Sequence, residues 1–343
     1  MHPHATSRAA TPGRTTRPIL VLGRRTVAEL LPLSACIEAV EEAFRLLGEA
    51  RVPAPGTLAH PVPGGGFHVK IASIGNERRY FAAKVNGNFP ENPTSRGLPT
   101  IQGVVVLSEA EAGVPLAMLD SAEVTALRTG AATAVAARRL ARPDSRIVTV
   151  VGCGVQGRVQ LRALRAVLPI SRVFAVDADP ARARAFAAEA CAEGGPVEVT
   201  DDLASAVASS DVCVTCTPAR QPVLRRAWVR PGTFVAAVGA DAPGKQELEP
   251  TLLAAGRLVV DVLEQCAEIG ELAHALRAGV LTRDKVAAEL GQVVAGLRPG
   301  RESRDEITIL DSTGTAILDV AVAALAYERA VAAGRGLAVD LSD

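Results

Sequence analysis

RIVTVVGCGVQGRVQLRAL, residues 146–164, runs a stretch of β-branched side chains into three glycines and out into an apolar-striped segment. The β-branched run predicts a strand at 147–151, and the segment from about Gln156 predicts a helix. Gly152, Gly154 and Gly157 fall as G-x-G-x-x-G between the two, the context in which that spacing carries meaning. The first glycine permits the turn, the second lets backbone approach a pyrophosphate, and the third lets helix and strand pack closely. Unpaired N–H groups and the positive dipole end at the helix start suit an anion. A lone glycine pattern would fit any tight strand-to-helix turn, so a second feature is needed. That feature is an acid about 20 residues on, at the end of the next strand, where it can take ribose hydroxyls. Asp177 in VFAVDADP stands there with no arginine immediately after it to offset its charge, which favours NAD(H) over NADP(H).

Downstream the pattern repeats: RVFAVD, PVEVT, DVCVTCT, TFVAAVG, RLVVDVL and ITILDS read as strands, with helical stretches such as PARARAFAAEACAE and DLASAVASS between the earlier ones. Strands that take turns with helices and are apolar on both faces predict a parallel doubly wound sheet. Upstream the period changes. FHVKIASI and YFAAKVNGNF alternate apolar and polar positions, and GVVVLSEAEAGVPLAMLD holds two strands about a polar turn, so an antiparallel sheet precedes the long alanine-rich helix SAEVTALRTGAATAVAARRLA. The last helix, GTAILDVAVAALAYERAVAAG, is apolar on more than one face and is expected to pack on its own subunit and on a neighbour. The expected fold class is therefore α/β: a Rossmann-type sheet at 127–312 inserted in a discontinuous α+β substrate-binding and dimerisation domain at 18–126 and 313–343. Residues 1–17, with arginines but no apolar stripe, are expected to be a frayed tail.

Composition narrows the function. The 343 residues carry a net charge of +0 with 48% hydrophobic and 3% aromatic residues, which leaves neither the basic excess nor the stacking side chains of a nucleic-acid binder. No apolar run approaches the roughly 18 residues of a membrane helix, and the protein is expected to be cytoplasmic. Of six cysteines, Cys213 and Cys216 form C-x-x-C, but on a strand residues three apart point to opposite faces, so these two are expected to diverge as small buried hydrophobes. No metal site is expected.

AAKVNGNFPENPTSRGLPT, VTALRTGAA, GCGVQG, AVGADAPGKQEL and GRESRDEITILDSTGTAILDVAVA, in that order, resemble the ornithine cyclodeaminase/mu-crystallin family from about Ile19 to about Ala333. The C-terminal third is most similar to its archaeal-type alanine dehydrogenase branch. The resemblance implies a homodimer whose N-terminal sheets pair across a two-fold axis, with each catalytic cleft between the two domains. It implies that Lys84 contacts the substrate carboxylate or carbonyl, and that Thr100, Arg128 and Thr129 lie at the nicotinamide and phosphates. Val155 and Gln156 would cap the pyrophosphate and Thr217 would lie along the adenosine. Val238, Gly239 and Asp241 would border the nicotinamide, with Lys245 and Ser312 near the cofactor and Asp241 as acid/base group.

From the residues alone these assignments are open. Lys84 alternates with Ala83 and Val85, so its ammonium points away from the apolar face, to solvent or to a cleft. Asp241 follows a strand end, where parallel-sheet active sites gather but turn aspartates also occur. Arg128 on a helix of small residues needs an anionic partner if buried. The basic residue that many relatives carry near the first sheet is replaced here by Pro55 and Gly56; Lys70, on the polar alternation of the neighbouring strand, can supply the charge instead. By the resemblance, His68 stands near the position where the cyclodeaminases hold an acid for a distal amine, which weakens the case for ornithine. The expected activity is an NADH-dependent reduction of small imino or oxo acids, with Lys84, Lys70 and Arg128 holding the substrate and Asp241, its pKa raised by a desolvated cleft, moving the proton. The alternatives are a cyclodeaminase acting on ornithine or lysine with bound NAD+, and a non-enzymatic ligand-binding protein of the mu-crystallin kind.

Overall fold

The computed structural model describes residues 18–75 and 78–341; the expected frayed tail lies outside them. The first sheet takes β1 (Ile19–Leu22), β2 (Gly56–Val62), β3 (Gly65–Ile74), β4 (Tyr80–Asn88), β5 (Ile101–Glu109) and β6 (Pro115–Asp120). The strands β7 (Ile147–Val151), β8 (Arg172–Val176), β9 (Val197–Val199), β10 (Val212–Thr215), β12 (Phe234–Ala237), β14 (Arg257–Val260), β15 (Ala288–Glu289) and β16 (Thr308–Asp311) form the second, while β11 (Arg220–Leu224) and β13 (Gln246–Leu248) pair with each other. A last strand, β17 (Leu337–Val339), returns to the first sheet beside β1.

The second sheet is parallel throughout, in the order β9-β8-β7-β10-β12-β16-β14-β15. Both of its faces are covered, as continuous apolar strands require. Val148, Val150, Val212, Val214 and Phe234 belong to one hydrophobic cluster, while Cys213, Val235 and Ala237 belong to the other. Each such valine, wholly buried, contributes about 1.5–3 kcal/mol relative to exposure. Cys213 and Cys216 diverge as expected, Cys216 packing on the opposite cluster from Cys213. The strand order reverses between β7 and β10, and at such a switch point the carboxyl ends of the strands open a crevice for a ligand.

The first sheet is mixed rather than wholly antiparallel, because β1 joins β6 in parallel. From β2 to β6 it is an antiparallel meander. The Ala316–Ala333 helix lies against β3, β4 and the Ser121–Leu140 helix, and every residue from Ala316 to Ala324 is buried within the chain. Over these residues its apolar surround is met by its own subunit, as expected for that part of its packing.

The alternation in β3 and β4 places side chains on the face opposite to a solvated one. Lys84 is 3% exposed, whereas Val85 is 37% exposed. The lysine side of the sheet faces the C-terminal helix, and Leu58, Phe67, Ile71, Val85, Val104 and Met118 form an open apolar face on the other side.

Candidate active site

The glycine loop has the strain its spacing implies. Gly152 sits at φ +100°, a region that side chains avoid, and a Cβ on Gly157 would collide with the Gly152 carbonyl. Gly154 caps the Val155–Arg165 helix without any side-chain hydrogen bond, so no side chain blocks the first turn of N–H donors. Val155 is exposed at that terminus, and Gln156 accepts a hydrogen bond from Gln160 behind it. Asp177 closes the far side. Its carboxylate accepts from the amides of Cys153 at 2.8 Å and Asp179 at 2.9 Å, so it pins the loop. Arg182, one turn into the next helix, lies 3.6 Å from the same carboxylate, a cation that adjacency in sequence does not reveal. A loop that admits backbone but no side chain, an open helix start and a terminal acid fit an adenine dinucleotide.

On the other side of the switch point, Glu247 ties two strand ends together. Its buried carboxylate accepts from the Thr215 hydroxyl, the Thr217 amide and hydroxyl, and the Gly239 amide. Burial raises its pKa, and those donors oppose the rise. Thr217 and Gly239 are thereby held at a fixed separation, although the Thr217 hydroxyl has no free role as a donor. Val238 is buried at the end of β12. Beyond β16, Asp261 accepts from the Ser312 and Thr313 hydroxyls and from the Gly314 amide, which shapes the turn before the last helix.

That turn meets the first sheet. Lys70 donates to the carbonyls of Thr313 at 3.2 Å and Gly314 at 2.5 Å, and Arg128 lies so close to Gly314 that a Cβ there would collide with its guanidinium. Lys70 and Lys84 stand directly opposite each other on β3 and β4, as do His68 and Asn86. These four line one cavity with Asn88, Ile101, Thr125, Arg128, Asp241 and Ala242. Lys84, Lys70, Arg128 and Asp241, the residues expected to do the chemistry, are therefore together. Thr129 lies a residue further along the same helix as Arg128 and donates to the Thr125 carbonyl; Thr100, whose carbonyl accepts from Phe89, adjoins the cavity residue Ile101.

The organiser of this cavity is a residue that motif reading missed. Asp319, 1% exposed, lies 2.8 Å from Lys84 and 3.1 Å from Arg128. Two buried cations so close together need such a counter-ion. Its signal was present in the sequence as the one acid in the run AILDVAVAALA. Burial pulls the Lys84 ammonium down to about 7, Asp319 opposing and Arg128 and Lys70 adding to the fall. Lys70 is lowered as well, by desolvation and then by Arg128.

Asp241 does not match its expectation. Desolvation works to raise its pKa, but Lys245, Lys70 and Arg128 together outweigh that, and the carboxyl ends below its ordinary value. It is ion-paired with Lys245 at 2.5 Å. An aspartate so placed stays ionised at neutral pH, so the raised pKa expected of it is not found. His68 is held below the usual histidine range, first by burial, with Asp241 opposing and Lys70 assisting.

The chain matches the model of the ornithine cyclodeaminase/mu-crystallin family over residues 19–334. It belongs to this family. Among solved structures it is similar to an archaeal alanine dehydrogenase dimer with bound NAD, at 40% identity and a TM-score of 0.90 over 94% of this chain and 99% of that one. The Δ1-pyrroline-2-carboxylate reductase of Thermococcus litoralis, in complex with NADH and L-proline, is 34% identical with a TM-score of 0.86 over 93% and 99%. The iminosuccinate reductase of Paracoccus denitrificans with NAD+ is 31% identical with a TM-score of 0.87 over 95% and 100%.

Proposed function

We propose that this chain is an NADH-dependent reductase of small 2-imino or 2-oxo acids, working as a homodimer in the cytoplasm. The observation that carries the reading is the convergence of Lys70, Lys84 and Arg128 on one cavity beside the strand-end loops after β12 and β16. Relatives that reduce C=N bonds next to a carboxylate, with NAD(H) bound, agree with it. The domain division at 126/127 and 312/313 belongs to the same reading: the glycine-loop unit holds the dinucleotide and the first sheet with the last helix holds the substrate.

NADH, when bound to the glycine loop and the carboxyl ends of β10 and β12, would supply the hydride for the carbon of the C=N or C=O group. Thr129, Thr217, Val238, Gly239 and Ser312 line its path, and Thr100 and Lys245 stand at the reacting end. Lys70 is held by two backbone carbonyls, so its ammonium is aimed before substrate arrives, and aiming in advance is the main source of electrostatic stabilisation. Lys84 and Arg128, braced by Asp319, take the substrate carboxylate. A Lys84 ammonium with pKa about 7 can also hold or release, at Nζ, the proton that the reduced nitrogen or oxygen requires. Asp241 then serves by holding Lys245.

The homodimer rests on the open apolar face of β2–β6. Six large apolar side chains on one monomer face form the kind of patch that marks an interface, and the alanine dehydrogenase of similar fold is a dimer. Six free cysteines suit a reducing compartment.

The test supplies NADH, ammonium and a panel of oxo acids and cyclic imines, and follows loss of nicotinamide absorbance. Net NADH oxidation supports the reductase. Ammonia released from ornithine or lysine with catalytic NAD+ and no net cofactor change would replace it with the lyase. NADH binding without either signal would leave the mu-crystallin kind of ligand binding.

A further inference from the structure

The reductase reading leaves the substrate's side chain open, and the cavity lining narrows it. The substrate-facing side of β3 and β4 carries two rows of paired residues. Lys70 and Lys84 form one, and His68 and Asn86 form the next, two residues along each strand and so about 7 Å away. In the first row and beneath it, Lys84 and Arg128 pair with Asp319, and Lys70, held by the Thr313 and Gly314 carbonyls, also feels Asp319, Asp241 and Asp261. Asp241 is itself paired with Lys245. The first row is thus a basic seat for one carboxylate.

The second row is built of groups that can donate. Gly103, opposite Asn86, has no Cβ, and one there would collide with the Asn86 amide oxygen; the carboxamide is thus tucked against the β5 backbone by its oxygen, which is buried and has no hydrogen-bond partner. Asn86 lines the cavity, and its amide nitrogen is a donor. His68 lies across from it and can donate through a ring nitrogen. Neither row leaves an unpaired carboxylate for a distal ammonium.

The two rows stand about 7 Å apart, a span that a short chain with an acidic group at each end bridges.

We infer that the substrate is a four-carbon 2-imino or 2-oxo dicarboxylate, its first carboxylate on the Lys70–Lys84–Arg128 row and its second on His68 and Asn86. The inference rests on the reductase reading for its chemistry but not for its binding. Hydride adds to C2 and one proton to the nitrogen or oxygen, so both carboxylates are spectators that orient the molecule.

The experiment has two arms. In the first, kcat/KM is measured with NADH and ammonium for oxaloacetate, pyruvate and pyrroline-2-carboxylate, in wild type and in H68L and N86L. The expected result is at least a tenfold preference for oxaloacetate over pyruvate in wild type, and a ratio reduced at least fivefold in each variant. A preference for pyruvate or pyrroline-2-carboxylate overturns the inference, as does an equal loss on both oxo acids in the variants. In the second arm, succinate and butyrate, neither of which can be reduced, are titrated into the protein–NADH complex by calorimetry. Succinate is expected to bind at least ten times more tightly; equal affinities overturn the inference. A succinate preference without NADH oxidation on any substrate would sink the reductase reading while the dicarboxylate site stands.

Discussion

Asp319→Asn removes a buried charge while keeping its shape, and its cost is expected to depend on pH in a direction the structure sets. The carboxylate lies within 3.1 Å of both Lys84 and Arg128, and all three side chains are nearly wholly buried. Removing one partner from a buried pair costs about 3–5 kcal/mol, because the remaining charge is stranded. The two cations respond differently. A guanidinium keeps its charge throughout the physiological range, whereas Lys84, already at about 7, can lose its proton. In the wild type the folded Lys84 binds its proton less readily than the unfolded one. Between about pH 7 and its ordinary value of 10.5, the unfolded state therefore carries more protons and Lys84 makes stability rise with pH. Without Asp319 the folded pKa drops further, and that window extends below 7. Above pH 7 Lys84 is mostly neutral in both proteins and the difference between them is the Arg128 share. Below pH 7 the wild type keeps a paired ammonium, and the variant loses up to about 1.4 kcal/mol more per pH unit. Urea unfolding of both proteins at pH 6, 7 and 8.5 measures this. A difference below about 1 kcal/mol, or one that does not change from pH 8.5 to 6, would refute the view that Asp319 is the counter-ion on which the cavity is built.

Three further outcomes are expected. Gly157→Ala drives a Cβ into the Gly152 carbonyl and should weaken NADH binding at least tenfold in a fluorescence titration; unchanged affinity would show that the loop adapts without consequence. Asp177→Arg removes the acceptor of the Cys153 amide and places a second guanidinium beside Arg182, so NADH affinity should fall about tenfold, or ~1.4 kcal/mol, while NADPH affinity improves. An unaltered ratio of the two would refute the ribose assignment. Val85→Asp puts a charge on the open apolar face of each subunit, and light scattering should show a wild-type dimer converted to monomers that still bind NADH; a dimer of unchanged stability would place the interface elsewhere.

The parallel sheet was legible because its strands are buried on both faces, which makes each a continuous apolar run between turn residues. RIVTVV, RVFAV, DVCVT and TFVAA could be located within a residue or two of β7, β8, β10 and β12. The edge strands were not. β2 contains Gly56 and Pro61 and is exposed along most of its length, so it has neither the apolar alternation nor the β-branched density that marks a strand, and an edge position tolerates its proline. β17 is three residues long and likewise at an edge. In the site, Lys70, Lys84, Arg128 and Asp241 could be named from motifs. Asp319 could not, because its partner Lys84 is 235 residues away and only the fold joins them.

Periodicity identifies which residues share a face of a strand, but it leaves open which face the molecule buries. For β4 the ordinary inference sends Lys84 to water and Val85 to the core. The reverse arrangement is stable only if two costs are met together. The buried lysines need a fixed anion and backbone acceptors, which Asp319 and the Thr313–Gly314 turn supply; the displaced valines need a cover that the described residues do not supply. Both needs arise from turning one sheet around, and so the cationic cavity and the apolar outer face are a single choice. The anion-binding pocket on one side of the sheet and the apolar face on the other are thus obtained together.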